Sequence, residues 1–136
     1  MIRVLLDTNV LVAMLSAEGA PAEILRAWQH GAFELVVSNR LLEEFVEVTA
    51  RPAIRRAGVD PADAATLVAR LRIDGVAAED EPDPPVFEAD PKDAYLVALA
   101  RAAAEILVTG DRTLRDSDIG VPVLGPREFL DALGAD

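Results

Sequence analysis

Cysteine is absent from the 136 residues. A disulfide framework, a zinc–thiolate site and a thiol nucleophile are thereby excluded, and the absence fits a reducing cytoplasm. Histidine occurs once, as His30, so a three-histidine zinc centre is excluded too. His30 precedes Gly31 at what reads as a helix end, where an imidazole serves as a cap. Aromatics are only 4% of the chain, which leaves alanine and the aliphatics to build the core, as in helices packed on a small sheet. Long apolar runs are also missing. The opening stretch is interrupted by Arg3, Asp7 and Asn9, so the expectation is neither a signal peptide nor a membrane span. Basic residues are scarce: 13 against 24 acidic residues leave a formal charge of −11. That is the wrong sign for a protein that grips nucleic acid by phosphate neutralisation alone. Nucleic-acid chemistry would need metal ions and a local basic patch, and the acidic surplus suits a basic partner.

What is present fits one domain over residues 1–136. Ile2 to Leu6 is a short aliphatic run, the mark of a strand buried on both faces of a parallel sheet. Asp7 falls at its carboxyl end, followed by the cap-type residues Thr8 and Asn9 and a helical apolar run. A second such run, Ile106-Leu107-Val108, ends in Thr109-Gly110-Asp111. Between them Asp90-Pro91-Lys92-Asp93 opens a helix. Acids at two strand ends and at a helix start imply carboxylates converging on one edge, where open α/β sheets place their chemistry. Crowded carboxylates stay ionised only around something positive, and Mg²⁺ or Mn²⁺ are the usual oxygen-seeking answer.

Along the chain, Pro21 opens a helix from Ala22 to His30, and Phe33 to Val37 is a second strand. Ser38 caps the next helix, in which Leu41, Leu42, Phe45 and Val48 share one face. Glu44 stands at the edge of that apolar stripe and can point toward the strand ends, whereas Glu43 and Glu47 read as a solvated face. Asp60-Pro61 opens a helix through Leu71, Val76 begins a short third strand, and residues 80–85 form an acidic, proline-rich loop. A helix runs from Lys92 to about Ala104. Val121 to Leu124 is a last strand at a sheet edge, because of Pro122, and Gly125-Pro126 opens a terminal helix through Leu133. No internal repeat is visible. The alternation predicts a central parallel sheet of four to five strands with helices on both faces.

Taken in order, Leu6-Asp7-Thr8-Asn9, Ser38 with Glu44, Asp90-Pro91-Lys92-Asp93 and Val108-Thr109-Gly110-Asp111 closely resemble the PIN domain family. The chain is most similar to its single-domain bacterial members of the VapC-like toxin–antitoxin kind, whose C-terminal helix Pro126-Arg127-Glu128-Phe129-Leu130 also resembles. The resemblance implies a Mg²⁺- or Mn²⁺-dependent endoribonuclease that leaves 5′-phosphate and 3′-hydroxyl ends. It assigns metal binding and catalysis to Asp7, Glu44, Asp93 and Asp111, with Asp90 secondary. Thr8, Asn9, Ser38 and Thr109 take supporting positions. It further implies a homodimer in the cytoplasm and an antitoxin whose basic tail crosses the acidic groove. Arg51, Arg55 and Arg56, which follow the Glu44 helix, and Arg112 and Arg115, which follow Asp111, are the candidate RNA contacts. Apolar residues of the helices Ala22–Trp28 and Ala64–Leu71 are candidates for the dimer face.

Two other readings compete. A haloacid-dehalogenase-like phosphatase also begins with an Asp after a strand. It needs a second Asp two residues on, and Asn9 cannot transfer that proton. It would also leave Glu44 and Asp93 without roles. A non-catalytic acidic module could dock arginines, but it gives no reason for acids to sit at strand ends and helix starts.

Overall fold

β1, Arg3–Leu6, is the centre of the molecule, with Val4, Leu5 and Leu6 essentially without solvent contact. The computed structural model describes residues 1–134. β2, Glu34–Val37, pairs with one side of β1, and β4, Ile106–Val108, with the other. β3, Val76–Ala77, extends the sheet beyond β2, and β5, Val123–Leu124, beyond β4. All four pairings are parallel, and the strand order is β3-β2-β1-β4-β5. β5 is an edge strand, as Pro122 predicts.

Parallel neighbours need crossover helices, and crossovers are right-handed. α1, Thr8–Ala13, and α2, Ala20–Gln29, connect β1 to β2; α3, Asn39–Ala50, α4, Pro52–Arg56, and α5, Pro61–Asp74, connect β2 to β3. The chain then returns across the sheet through a 3₁₀ turn, Pro91–Asp93, and α6, Ala94–Ala103, to β4; α7, Arg112–Arg115, leads on to β5 and α8, Pro126–Leu133. The winding therefore reverses between β1 and β4. At such a switch point the loops leaving the two strands diverge and open a crevice at their carboxyl ends.

Local signals account for most boundaries. Ser38 Oγ accepts from the Leu41 amide at 3.2 Å, and Asp60 Oδ1 from the Ala62 amide at 2.8 Å, each capping its helix. His30 is the C-cap of α2, its Nδ1 2.7 Å from the Arg26 carbonyl oxygen. α1 stops at Ala13, and α5 continues to Asp74 instead of ending at Leu71. The helix expected from Lys92 begins as the 3₁₀ turn. Proline at position 91 sits well in that first turn, where no backbone donor is needed. The core is aliphatic, with Phe33, Phe45 and Phe129 its largest fully buried side chains. Phe33, just before β2, meets Phe129 of α8 edge to face at 5.1 Å, and α8 also packs against α2.

Candidate metal centre

Asp7 leaves β1 at the switch point. It occupies the N-cap position of α1, yet its side chain makes no capping bond. Its Oδ2 instead accepts from the Thr109 hydroxyl at 2.8 Å, across the gap from β1 to β4. Thr109 is fully buried, and its oxygen also accepts the Asp111 amide at 3.0 Å. One hydroxyl thus ties two acids' positions together. Asp111 caps α7, with Oδ1 2.8 Å from the Thr113 amide, and Asp90 caps the 3₁₀ turn, with Oδ1 3.1 Å from the Lys92 amide. A 3₁₀ turn has three residues per turn, so Asp90 and Asp93 project to the same side. One carboxylate oxygen each from Asp90, Asp93 and Asp111 lies within 4.8 Å of the others. Asp90, secondary in the sequence reading, is thus a full member of this cluster.

Glu44 reaches the same place from α3. It is half-buried, and the Tyr95 hydroxyl of α6 donates to its Oε2. Tyr95 is buried, and desolvation followed by the neighbouring Glu44 pushes its pKa well up, so the phenol keeps its proton and stays a donor. Nothing in the local sequence pattern signals this bond. The guanidinium of Arg40 lies 4.5 Å from the centre of the Tyr95 ring, a second contact the sequence did not signal.

The acids feel one another. Asp93 is raised to about 7, first by burial and then by Asp7, Asp90, Asp111 and Glu44. Asp7 is raised too, chiefly by burial, with Glu44 and Asp111 adding to it and the Thr109 hydroxyl opposing. No ion pair among the described residues involves any of the five. The Thr8 hydroxyl is buried and neighbours the Tyr95 phenol. An all-oxygen donor set with this surplus of negative charge fits a hard divalent cation such as Mg²⁺ or Mn²⁺.

The remaining expected site residues separate. Asn9 is exposed and makes no side-chain hydrogen bond among the described residues. Ser38 acts on α3 as its cap and thereby sets where Glu44 starts from. Arg51 shares a cavity with Glu44 and Tyr95, while Arg55 borders a different hollow between α3 and α5. Arg112 and Arg115 line a third hollow with Asp116 and Glu128, and Arg115 is paired with Glu128. Arg51 is the N-cap of α4, and the Arg55 amide donates to its carbonyl oxygen at 3.1 Å, one helical turn on.

A family model described as PIN domain matches residues 3–113. The chain belongs to the PIN domain family, whose members are generally nucleases that use divalent metal ions. Among solved structures, the crystal structure of PAE2754 from Pyrobaculum aerophilum is similar, with a TM-score of 0.67 and 22% sequence identity. The match covers 99% of this chain and 91% of that one, and at this identity it speaks for the shared fold. No curated protein matches the sequence.

Proposed function

We propose that this chain is a metal-dependent endoribonuclease that hydrolyses RNA phosphodiester bonds, and the toxin of a type II toxin–antitoxin pair. The observation that carries the catalytic half is the meeting of Asp7, Glu44, Asp90, Asp93 and Asp111 at the switch point, none of them in an ion pair among the described residues. Asp90, Asp93 and Asp111 would hold Mg²⁺ or Mn²⁺, with Asp7 and Glu44 beside them. When bound, such an ion lowers the pKa of a coordinated water and neutralises charge developing on the scissile phosphate. The chain's own part is orientation. Thr109 fixes one oxygen of Asp7, and Tyr95 one oxygen of Glu44, so each acid presents its other oxygen in a set direction. Attack by water at phosphorus and departure of the 3′-oxygen, which takes up a proton, give the 5′-phosphate and 3′-hydroxyl ends that the family resemblance implies. Cleavage of RNA in Mn²⁺, absent in chelator and in Asp7→Asn, is the expected result. Wild-type rates in both Asp7→Asn and Asp93→Asn would defeat it.

The toxin half rests on the resemblance and on charge. A chain at −11 with clustered acids suits an antitoxin's basic tail, whose arginines could bridge carboxylates bidentately in place of the metal. Homodimerisation in the cytoplasm belongs to the same reading. α2 and α5 frame an apolar cavity of about 550 Å³ that includes Leu25, Trp28 and Leu67, which supports these helices as the dimer face. Inhibition by the neighbouring gene's product that weakens as Mg²⁺ rises is expected; inhibition insensitive to Mg²⁺ would contradict displacement. A monomer in sedimentation would contradict the dimer.

A further inference from the structure

Beside Glu44 lies a cavity of about 390 Å³ whose walls include Arg40, Arg51 and Lys92 as well as Glu43, Glu44 and Glu47. Three cations in one hollow stand out on a chain with 24 acids against 13 bases. They are not equivalent. Arg51 is engaged with Glu47 at 3.4 Å. Arg40 and Lys92 have no carboxylate partner within ion-pair distance among the described residues. Arg40 is also pre-positioned. Its backbone amide donates to Asp80 Oδ2 at 2.9 Å, and its guanidinium is seated over the Tyr95 ring. A cation on an aromatic face keeps its N–H donors at the edge of the plane free for another acceptor. Lys92 lies between Asp90 and Asp93 in the 3₁₀ turn, immediately before Asp93, so its backbone is held next to the acid cluster.

From these positions we infer that Arg40 and Lys92 bind backbone phosphates of a single-stranded RNA where it runs past Glu44 to the metal centre. The inference rests on the nuclease reading and adds the direction from which the strand arrives. It also differs from the sequence expectation, which looked to Arg51, Arg55, Arg56, Arg112 and Arg115. Arg40 supplies a flat donor fork that phosphate can engage bidentately, and Lys92 a point charge. Together they would offset the repulsion a polyanion meets on an acidic protein.

The test is binding of a short fluorescently labelled single-stranded RNA to the Asp7→Asn protein across a NaCl series, followed by anisotropy. Arg40→Gln and Lys92→Gln, placed separately in that background, change exposed side chains. Each is expected to weaken binding at low salt and to lower the slope of log K against log salt by roughly 0.7, one phosphate contact on a single strand. Arg56→Gln, on α4 outside the cavity, should leave the slope unchanged. Slopes unaltered by Arg40→Gln and Lys92→Gln, or lowered equally by Arg56→Gln, overturn the inference. Cleavage of the same RNA by the unsubstituted protein in Mn²⁺ is scored separately. Its absence would strike the nuclease reading, whereas intact cleavage with unchanged slopes would strike only the groove.

Discussion

Two corners of the molecule hold acids in opposite ways. At the β5–α8 corner, Glu128 accepts from the Gly125 amide and pairs with Arg115, and its pKa is lowered, the amide counting most. Nearby, Glu23 of α2 pairs with Arg127 of α8 at 2.8 Å. At the carboxyl ends of β1 and β4, Asp93 is raised to about 7 and Asp7 is raised as well, with no cation paired to either among the described residues. Matched acids close a helix end or tie two helices together and need nothing more. Unmatched acids, desolvated and facing one another, cost stability in the free protein, and that cost is removed when a divalent cation arrives. The comparison distinguishes an acid used to hold the fold from one held ready for a ligand.

The largest effect that sharpens this contrast should come from neutralising the switch-point acids. Asp7→Asn or Asp93→Asn is expected to reduce RNA cleavage by more than about a hundredfold, because even residues behind metal ligands cost 10–100-fold. Melting temperature should hold or rise, since repulsion is relieved. A large loss of stability would instead class these acids with Glu128.

Next in size is an effect of pH. Asp93 holds a proton in the folded state up to about 7, whereas its ordinary pKa is 3.8. Between those values the native state binds more protons than the unfolded state. The metal-free protein should therefore lose stability as pH rises from about 4 through 7 and level off above. Asp7 adds in the same direction. Melting in EDTA across that range checks the sign, and Asp93→Asn should flatten the profile. The same proton competes with the metal, so Mn²⁺ affinity should weaken as pH falls below 7.

A smaller change is expected at Tyr95. Tyr95→Phe keeps the ring under Arg40 but removes the donor to Glu44. A loss of about tenfold in Mn²⁺ affinity, read by calorimetry, is the low end for a residue that orients a ligand. The smallest effect belongs to the matched corner. Glu128→Gln should leave metal binding and cleavage unchanged, and a loss of either would break the comparison.

Much of the switch point was legible in the chain. Aliphatic runs that end in Asp7 and Asp111 read as buried strands with acids at their carboxyl ends, because a central parallel strand has no polar face to confuse the pattern. Glu44 was legible from its place beside the Leu41, Leu42, Phe45 stripe. Asp90 was half-legible: its spacing from Asp93 fits a 3₁₀ turn, but an ordinary helix start was the simpler expectation. Tyr95 and Arg40 were hidden for a different reason. The bond from Tyr95 to Glu44 joins residues 51 apart in sequence, on helices α3 and α6. Nothing in the local pattern of either helix records that meeting. The pairing of Arg115 was hidden likewise, since its partner Glu128 comes from another element.

The central claim is that the unmatched acids form a divalent-metal site. Calorimetric titration of Mn²⁺ into the unsubstituted protein, Asp93→Asn and Glu128→Gln tests it without any nuclease assay. The account predicts saturable binding to the unsubstituted protein and to Glu128→Gln, with binding lost or at least about a hundredfold weaker in Asp93→Asn. Equal affinity in all three proteins, or no binding to the unsubstituted one, would contradict it.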